Sequence, residues 1–158
     1  MKQTQHERME ALRTAIKHCR GFRTAIDVGA HAGRWSEVMA RSFRYLVAFE
    51  PHGGMADRWR ARMADRFNVV LHEVALADLV GWATLQREPD SKHRLVPVPA
   101  LDAGAGPGRV QVAPLDDYHL TDVDLIKIDT EGADALVLLG GSYTILRDHP
   151  VVIVEDRP

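Results

Sequence analysis

Short apolar runs alternate with amphipathic segments along most of the chain, and this alternation indicates the fold. Apolar positions at helical spacing predict a helix over residues 4–19, within an N-terminal segment that extends to residue 22. Apolar runs bounded by turn residues predict strands at 23–28, 45–49, 69–76, 123–128 and 151–155, with helices at 34–42 and 55–67. This order predicts a doubly wound α/β fold with a mostly parallel sheet of about five core strands.

Residues 81–115 interrupt the alternation and are expected to form a small β insertion. Segments 82–87 and 110–113 have strand-like patterns, and residues 88–109 between them are rich in proline and glycine. A long loop of this composition inside a compact domain is usually a lid, a binding loop or a mobile segment. We interpret it as a cover for the substrate, with simple disorder as the alternative.

Composition narrows the class of protein. The 158 residues are expected to form one domain, 1–158, and Cys19 is the one cysteine, so no internal disulfide supports the core. A net charge of −2 disfavours binding to nucleic acid, which usually leaves a basic patch. The sequence shows no long apolar run and no leader-like start, so we expect a cytoplasmic protein that does not associate with membranes.

The apolar strand at 123–128 leads directly into a group of carboxylates. Asp129, Glu131 and Asp134 follow it, and Gly132 marks the turn toward a helix. Ligands of open α/β sheets bind outside the carboxyl ends of the strands, so Asp129 and Glu131 are expected in a functional site. The alternative is an ordinary acidic helix N-terminus, where carboxylates complement the helix dipole.

A strand, a glycine turn and a helix start succeed one another earlier in the chain. Gly29 and Gly33 allow left-handed backbone and close approach of a ligand, and the helix start offers unpaired N–H groups. Glu50 ends the next strand about 20 residues later, where a nucleotide-binding fold holds ribose hydroxyls. Because the middle glycine of the dinucleotide fingerprint is missing, we favour a nucleoside ligand without pyrophosphate, of which S-adenosylmethionine is the common one.

An ordered set of motifs resembles the FkbM-type S-adenosylmethionine-dependent methyltransferases, a branch of the class I Rossmann-like enzymes. The motifs are residues 26–30 with Gly33 and Ser36, 48–51, 74–78 with Gly81, 114–116, 124–132, 139–141 and 150–155. Their order and spacing both fit the family across most of the chain. Two positions depart from its pattern, namely His31 where asparagine is usual and Asp134 where glutamate is usual.

The resemblance implies that the chain binds S-adenosylmethionine as its cosubstrate. The implied binding residues are Asp27, Gly29, Ala30, Gly33, Glu50, Pro51, Ala77, Asp78 and Asp129. The methionine end is expected near Asp27 and the two glycines, the ribose at Glu50, and the adenine beside Asp78 or its neighbours.

The resemblance also implies catalytic roles. A methyl group on a sulfonium is already activated, so the protein mainly aligns an acceptor oxygen and helps to remove its proton. Asp129 and Glu131 are expected to face the methyl group and to orient or deprotonate the acceptor. His31 is a further candidate base, since an unperturbed histidine pKa of about 6.5 suits this role; alternatively, it only hydrogen-bonds the loop. Carboxylates could also bind Mg²⁺, but the family resembled is regarded as metal-independent, and we predict no metal site.

Three functions remain open at this stage. The resemblance favours an O-methyltransferase that acts on a hydroxyl of a sugar, glycan or small natural product. The departures at His31 and Asp134 and the short carboxyl terminus leave room for a non-catalytic subunit that binds S-adenosylmethionine. A nicotinamide-dependent oxidoreductase is disfavoured by the missing glycine.

The last predicted strand raises the question of a partner. Only three residues follow it, so the parallel sheet is expected to have at most five strands with the last one at an edge. An apolar edge strand exposes unpaired backbone groups that proteins usually pair or cover. We expect a homodimer through this edge, with a truncated chain as the competing explanation.

Overall fold

The computed structural model describes residues 5–87, 93–97 and 108–154. The helices are α1 (Gln5–His18), α2 (Arg34–Ser42), α3 (Gly53–Arg62), α4 (Asp134–Gly140) and α5 (Ser142–Asp148), with a 3-10 turn at Leu115–Tyr118. The strands are β1 (Thr24–Val28), β2 (Tyr45–Phe49), β3 (Val69–His72), β4 (Ala75–Leu76), β5 (Gly81–Arg87), β6 (His93–Pro97), β7 (Arg109–Ala113), β8 (Val123–Ile128) and β9 (Val151–Val154).

The larger sheet has five parallel strands in the order β3-β2-β1-β8-β9. Every residue of β1 and β8 is buried, as expected for central parallel strands that are covered on both faces. The direction of winding reverses beside β1, which pairs with β2 on one side and with β8 on the other. The predicted α/β fold is therefore confirmed, and ligands of such sheets bind at the carboxyl ends of the strands beside this reversal.

Helices cover both faces of the parallel sheet. One apolar cluster joins α1, α2 and α3 to the first face through Leu12, Met39 and Trp59. A second cluster joins α4 and α5 to the opposite face through Val137 and Ile145. Within the part of the chain that the structure describes, no helix is both long enough and apolar enough to cross a membrane.

The insertion forms a second sheet of four strands in the order β4-β7-β5-β6. β5 pairs in antiparallel fashion with both β6 and β7, whereas β4 runs parallel to β7. Small side chains such as Ala75 and Ala83 pack with Val110 in its core. The strand-like patterns expected at 82–87 and 110–113 correspond to β5 and β7.

The prediction of one strand over residues 69–76 is wrong. β3 pairs with β2 only as far as His72, which lies opposite Phe49, the last residue of β2. Beyond that point the chain leaves the parallel sheet, and β4 pairs with β7 instead. The predicted strand thus divides between two sheets, and the division falls at the polar residues His72 and Glu73.

Two further boundaries differ from the sequence prediction. The helix expected over 55–67 starts at Gly53, where the His52 ring accepts a hydrogen bond from the Met55 backbone N–H, and it ends at Arg62. The loop expected over 88–109 contains β6, because His93–Pro97 pairs with β5 along its whole length. Residues 88–92 and 98–107, and with them most of the predicted substrate cover, lie outside the described residues.

Candidate active site

A cavity of about 460 Å³ opens at the carboxyl ends of β1, β2 and β8. Its walls come from the turn after β1, the start of α2, the segment after β2, the residues around β4 and the loop after β8. The lining residues are Arg8, Val28, Gly29, Ala30, His31, Ala32, Arg34, Trp35, Phe49, Glu50, Pro51, His52, Met55, Val74, Ala75, Leu76, Leu85, Lys127, Asp129, Thr130 and Glu131. A cavity of this size at the winding reversal is the expected ligand site of a doubly wound fold.

The glycine turn after β1 forms one wall of the cavity. The backbone N–H groups of Gly29 and Ala30 both donate to the Phe49 carbonyl oxygen, at 2.9 and 3.1 Å. Gly29 has a left-handed φ of 71°, and a Cβ atom at this position would lie 1.9 Å from the Asp129 carbonyl oxygen. Gly33 is also left-handed, with φ 79°, immediately before α2. Glycine is required at position 29 for both its conformation and its contact with the loop after β8.

The Glu50 carboxylate connects two walls of the cavity. Its Oε2 atom accepts a hydrogen bond from the His31 backbone N–H at 2.7 Å, and its Oε1 atom accepts one from the His52 backbone N–H at 2.9 Å. The residue is 7% exposed. Each oxygen has a second acceptor site, so the carboxylate can bind ligand hydroxyls while it holds both loops in place.

His31 contributes through its backbone. Its φ of 50° is left-handed, which asparagine tolerates more readily than most residues and histidine also adopts. The backbone N–H is bonded to Glu50, while the residue is exposed at the edge of the cavity. The backbone of His31 therefore shapes the turn independently of any role of its imidazole ring.

The loop after β8 presents Asp129 and Glu131 to the cavity. Asp134 stabilises this loop, because its Oδ1 atom accepts hydrogen bonds from the Thr130 backbone N–H at 2.9 Å and from the Thr130 hydroxyl at 2.8 Å. Glu131 and Gly132 both have positive φ, at 55° and 106°, which produces the sharp turn into α4. Aspartate at position 134 thus has a local structural role, and Asp129 and Glu131 are the acids that this loop contributes to the cavity.

Asp27 lies behind the cavity wall. It is fully buried, its Oδ2 atom accepts a hydrogen bond of 2.5 Å from the Ser36 hydroxyl, and its Oδ1 atom is 2.8 Å from Lys127 Nζ. The Ser36 hydroxyl in turn accepts a hydrogen bond of 2.7 Å from the Trp59 ring nitrogen. Asp27 therefore reaches the cavity only through Lys127, which lines it.

The structure brings most of the predicted site residues together. Those that line the one cavity are Gly29, Ala30, His31, Glu50, Pro51, Asp129 and Glu131. Four predicted positions do not line it, namely Asp27, Gly33, Ala77 and Asp78. Ala77 is buried and its N–H donates to Ala113, whereas Asp78 is exposed. Residues 74–76, which come just before Ala77 and Asp78, line the cavity instead.

Several lining residues were missed by the sequence analysis. Lys127 carried a signal, because a lysine inside a buried strand is rarely tolerated without a partner. For Trp35, at the start of α2, the sequence pattern predicted only an apolar helix position and not a place in the cavity. Arg8 belongs to α1 and is far from every motif, so nothing local connects it with a site at the sheet.

The clearest pKa shifts belong to other parts of the molecule. At the opposite end of β8, the Arg23 side chain lowers the pKa of Asp124 through hydrogen bonds. Burial, reinforced by Asp124, raises the pKa of the Cys19 thiol to about 11. Burial lowers the pKa of His72, whose ring stacks on Phe49. Among the described residues, no group of three or more His, Cys, Asp or Glu side chains is arranged to hold a metal ion.

The family model described as the methyltransferase FkbM domain matches residues 27–158. No curated protein matches the chain. Among solved structures, the chain is similar to methyltransferase FkbM from Methylobacillus flagellatus KT, with 18% identity and a TM-score of 0.59 over 85% of this chain. The match covers 33% of that protein, so the chain spans about a third of its length, and the likeness shows the fold.

Two shorter matches cover 48% of the chain each. One is the YcgJ protein from Bacillus subtilis, with 17% identity, a TM-score of 0.40 and 35% of that chain covered. The other is phosphoethanolamine N-methyltransferase 1 from Haemonchus contortus, solved with phosphoethanolamine and S-adenosylhomocysteine, with 18% identity, a TM-score of 0.34 and 18% of that chain covered.

Proposed function

The chain belongs to the FkbM methyltransferase domain family, and from this membership we propose that it binds S-adenosylmethionine and transfers its methyl group to a hydroxyl oxygen. The proposed acceptor is a sugar, a glycan or a small natural product. One observation supports the site above all others: the glycine turn, the Glu50 carboxylate and the acids Asp129 and Glu131 line a single cavity.

The residues present fit a nucleoside cosubstrate. Gly29 keeps the backbone bare at the end of β1, where a side chain would fill the space beside the Asp129 carbonyl. Glu50 carries its charge on a carboxylate that is fixed by two backbone N–H groups, with acceptor capacity left for ribose hydroxyls. The apolar segment at 74–76 lines the cavity and is the proposed place for the adenine. We therefore assign the ribose to Glu50 and the methionine end to the turn at Gly29 and Ala30.

The proposed chemistry is a displacement at carbon. When bound, the sulfonium supplies an activated methyl group, so that a carbon–oxygen bond forms as the carbon–sulfur bond breaks and sulfur keeps the electron pair. Asp129 and Glu131 orient the acceptor hydroxyl and take its proton, and Glu131 is placed by its left-handed backbone. Because the methyl group is already activated, we assign no metal ion to the step. His31, at the edge of the cavity, is the secondary candidate for the base.

Calorimetry tests the cosubstrate assignment first. We expect S-adenosylhomocysteine to bind the purified chain and NAD not to bind, because the turn lacks the middle glycine of the dinucleotide fingerprint. Binding of NAD with no binding of S-adenosylhomocysteine would contradict the proposal.

A screen of hydroxylated acceptors with methyl-labelled S-adenosylmethionine then tests the reaction. We expect label in a product of at least one acceptor class, with loss of that label when Asp129 is replaced by asparagine. Tight binding of S-adenosylhomocysteine without any transfer across the screen would favour a non-catalytic binding subunit instead.

A further inference from the structure

A buried ammonium group lies against the cavity, at the point where β1 ends. Lys127 on β8 is 3% exposed, and its Nζ atom is 2.8 Å from Asp27 Oδ1. The same atom donates hydrogen bonds to the carbonyl oxygens of Val28 at 3.0 Å and Gly29 at 2.8 Å. The ammonium group thus donates to two backbone carbonyls of the neighbouring segment and forms an ion pair with the carboxylate just before them.

The geometry of this contact is set by the sheet. Asp27 and Lys127 lie opposite each other where β1 and β8 pair in parallel, so their side chains leave the sheet on the same face. Asp27 is held in turn by the Ser36 hydroxyl on α2, which is bonded to the Trp59 ring on α3. The ammonium group therefore pairs with a carboxylate that is itself held by hydrogen bonds, and it donates to the backbone of the turn.

Charge balance alone does not account for this arrangement. A buried lysine needs a carboxylate partner, and Asp27 supplies it. The two hydrogen bonds to carbonyl oxygens have a further effect. Val28 is the last residue of β1, and Gly29 is the left-handed residue that begins the turn. Fixing these two carbonyls fixes the direction in which the backbone enters the cavity wall.

We propose that Lys127 is the positioning residue of the glycine turn: its ammonium group holds the Val28 and Gly29 carbonyls and thereby sets the backbone that receives the cosubstrate. This inference rests on the proposed function. In this role Lys127 acts through the turn, and Asp27 acts through Lys127. The cosubstrate-binding role expected for Asp27 from the sequence then becomes an indirect one.

A double variant separates positioning from charge balance. Asp27→Asn with Lys127→Met removes both charges together, so no unpaired charge stays buried, while the two carbonyl bonds are lost. We expect the double variant to fold and to bind S-adenosylhomocysteine at least about tenfold more weakly than the parent chain, because the released turn must be ordered when the ligand binds. We also expect hydrogen exchange at the Gly29 and Ala30 amides to become faster than in the parent chain, and by a larger factor than at amides within β2.

A second variant covers the case in which the double variant fails to fold. Lys127→Arg keeps the charge beside Asp27, but a planar guanidinium cannot direct its donors to the same three oxygens. We expect it to fold and to show the same weakened binding and faster exchange in the turn. Asp124→Asn is the matched control, because Asp124 is a buried carboxylate on the same strand, paired with Arg23 at the end remote from the cavity. It should lower stability without changing affinity or exchange in the turn.

Each result decides the matter. Parent-like affinity and parent-like exchange of the turn amides in a folded double variant, or in folded Lys127→Arg, would overturn the positioning role and leave Lys127 as the counter-ion of Asp27. If the parent chain itself does not bind S-adenosylhomocysteine, the proposed function fails. The exchange rates of the Gly29 and Ala30 amides still test the positioning of the turn in that case.

Discussion

Replacement of Glu50 gives the sharpest test of the proposed cosubstrate site. The side chain is 7% exposed, and each of its oxygens accepts one backbone N–H, from His31 at 2.7 Å and from His52 at 2.9 Å. It therefore does two things in the proposal, because it joins the turn after β1 to the segment after β2 and it binds the ribose. Glu50→Ala removes both functions, whereas Glu50→Gln keeps the size of the side chain and removes its charge.

The expected magnitude follows from the bonds that are lost. A hydrogen bond to a charged group contributes about 1.5–3 kcal/mol, so loss of the ribose contact should weaken binding roughly 10- to 150-fold. In Glu50→Gln one end of the amide must present a donor to a backbone N–H, so one of the two loop contacts is lost as well. We expect Glu50→Ala to have the larger effect on affinity, with a loss of unfolding free energy of about 1–3 kcal/mol from the released backbone groups.

Titration calorimetry with S-adenosylhomocysteine measures the effect directly. Thermal unfolding of each variant establishes that the binding-competent fold is present. Glu37→Gln provides the control, because Glu37 on α2 also accepts side-chain bonds, from Arg41 at 2.5 Å and Arg62 at 3.1 Å, but lies outside the cavity lining. Its affinity should match that of the parent chain.

Two outcomes would refute this reasoning. An unchanged dissociation constant in a folded Glu50→Ala variant would remove Glu50 from the binding site. An equal loss of affinity in Glu37→Gln would show that the measurement reports general weakening of α2 and its neighbours rather than a ribose contact.

The other predictions address catalysis, the turn, the partly buried thiol of Cys19 and the sheet edge. Asp129→Asn should lower turnover by ~10²–10⁴-fold with little change in affinity for S-adenosylhomocysteine, and loss of binding with normal turnover of the bound fraction would make Asp129 a binding residue. Gly29→Ala should reduce the unfolding free energy by more than about 2 kcal/mol, because the added Cβ would lie 1.9 Å from a carbonyl oxygen and φ is 71°; an unchanged thermal midpoint would contradict this. The folded-state pKa of Cys19 is raised from 9.0 to about 11, so the contribution of the protonated thiol to stability is complete below pH 9 and is lost as pH rises toward 11. Thermal unfolding of Cys19→Ala should therefore show a smaller loss of stability across this range than the parent chain does. Light scattering should detect a dimer of the parent chain that Val154→Lys weakens, since Val154 is 41% exposed on the edge strand β9, and a monomer at all concentrations would exclude pairing through this edge.

Local patterns in the sequence were enough to predict the parallel sheet and much of the cavity. Helix α2 and strand β2 have the bounds that their apolar spacing predicted, at Arg34–Ser42 and Tyr45–Phe49. The glycine turn and the acids after β8 could be predicted to meet because parallel strands bring their carboxyl ends to one edge of a sheet. Residues that carry their own local signal, such as a glycine in a turn or a carboxylate after an apolar run, can be assigned in this way.

Tertiary structure decided what depends on partners that are distant in the chain. The segment at 69–76 was predicted as one strand although His72 and Glu73 interrupt its apolar residues, and in the structure its last residues pair with β7 in another sheet. In the sequence, Lys127 is a single charged residue in an apolar strand. The pairing of β1 with β8 places it opposite Asp27, where its ammonium group donates a hydrogen bond to the Gly29 carbonyl. Arg8 reaches the cavity only because α1 packs across the sheet. Hydrophobic period and turn chemistry act over a few residues, whereas these contacts join residues far apart in the chain and exist only once the sheet has formed.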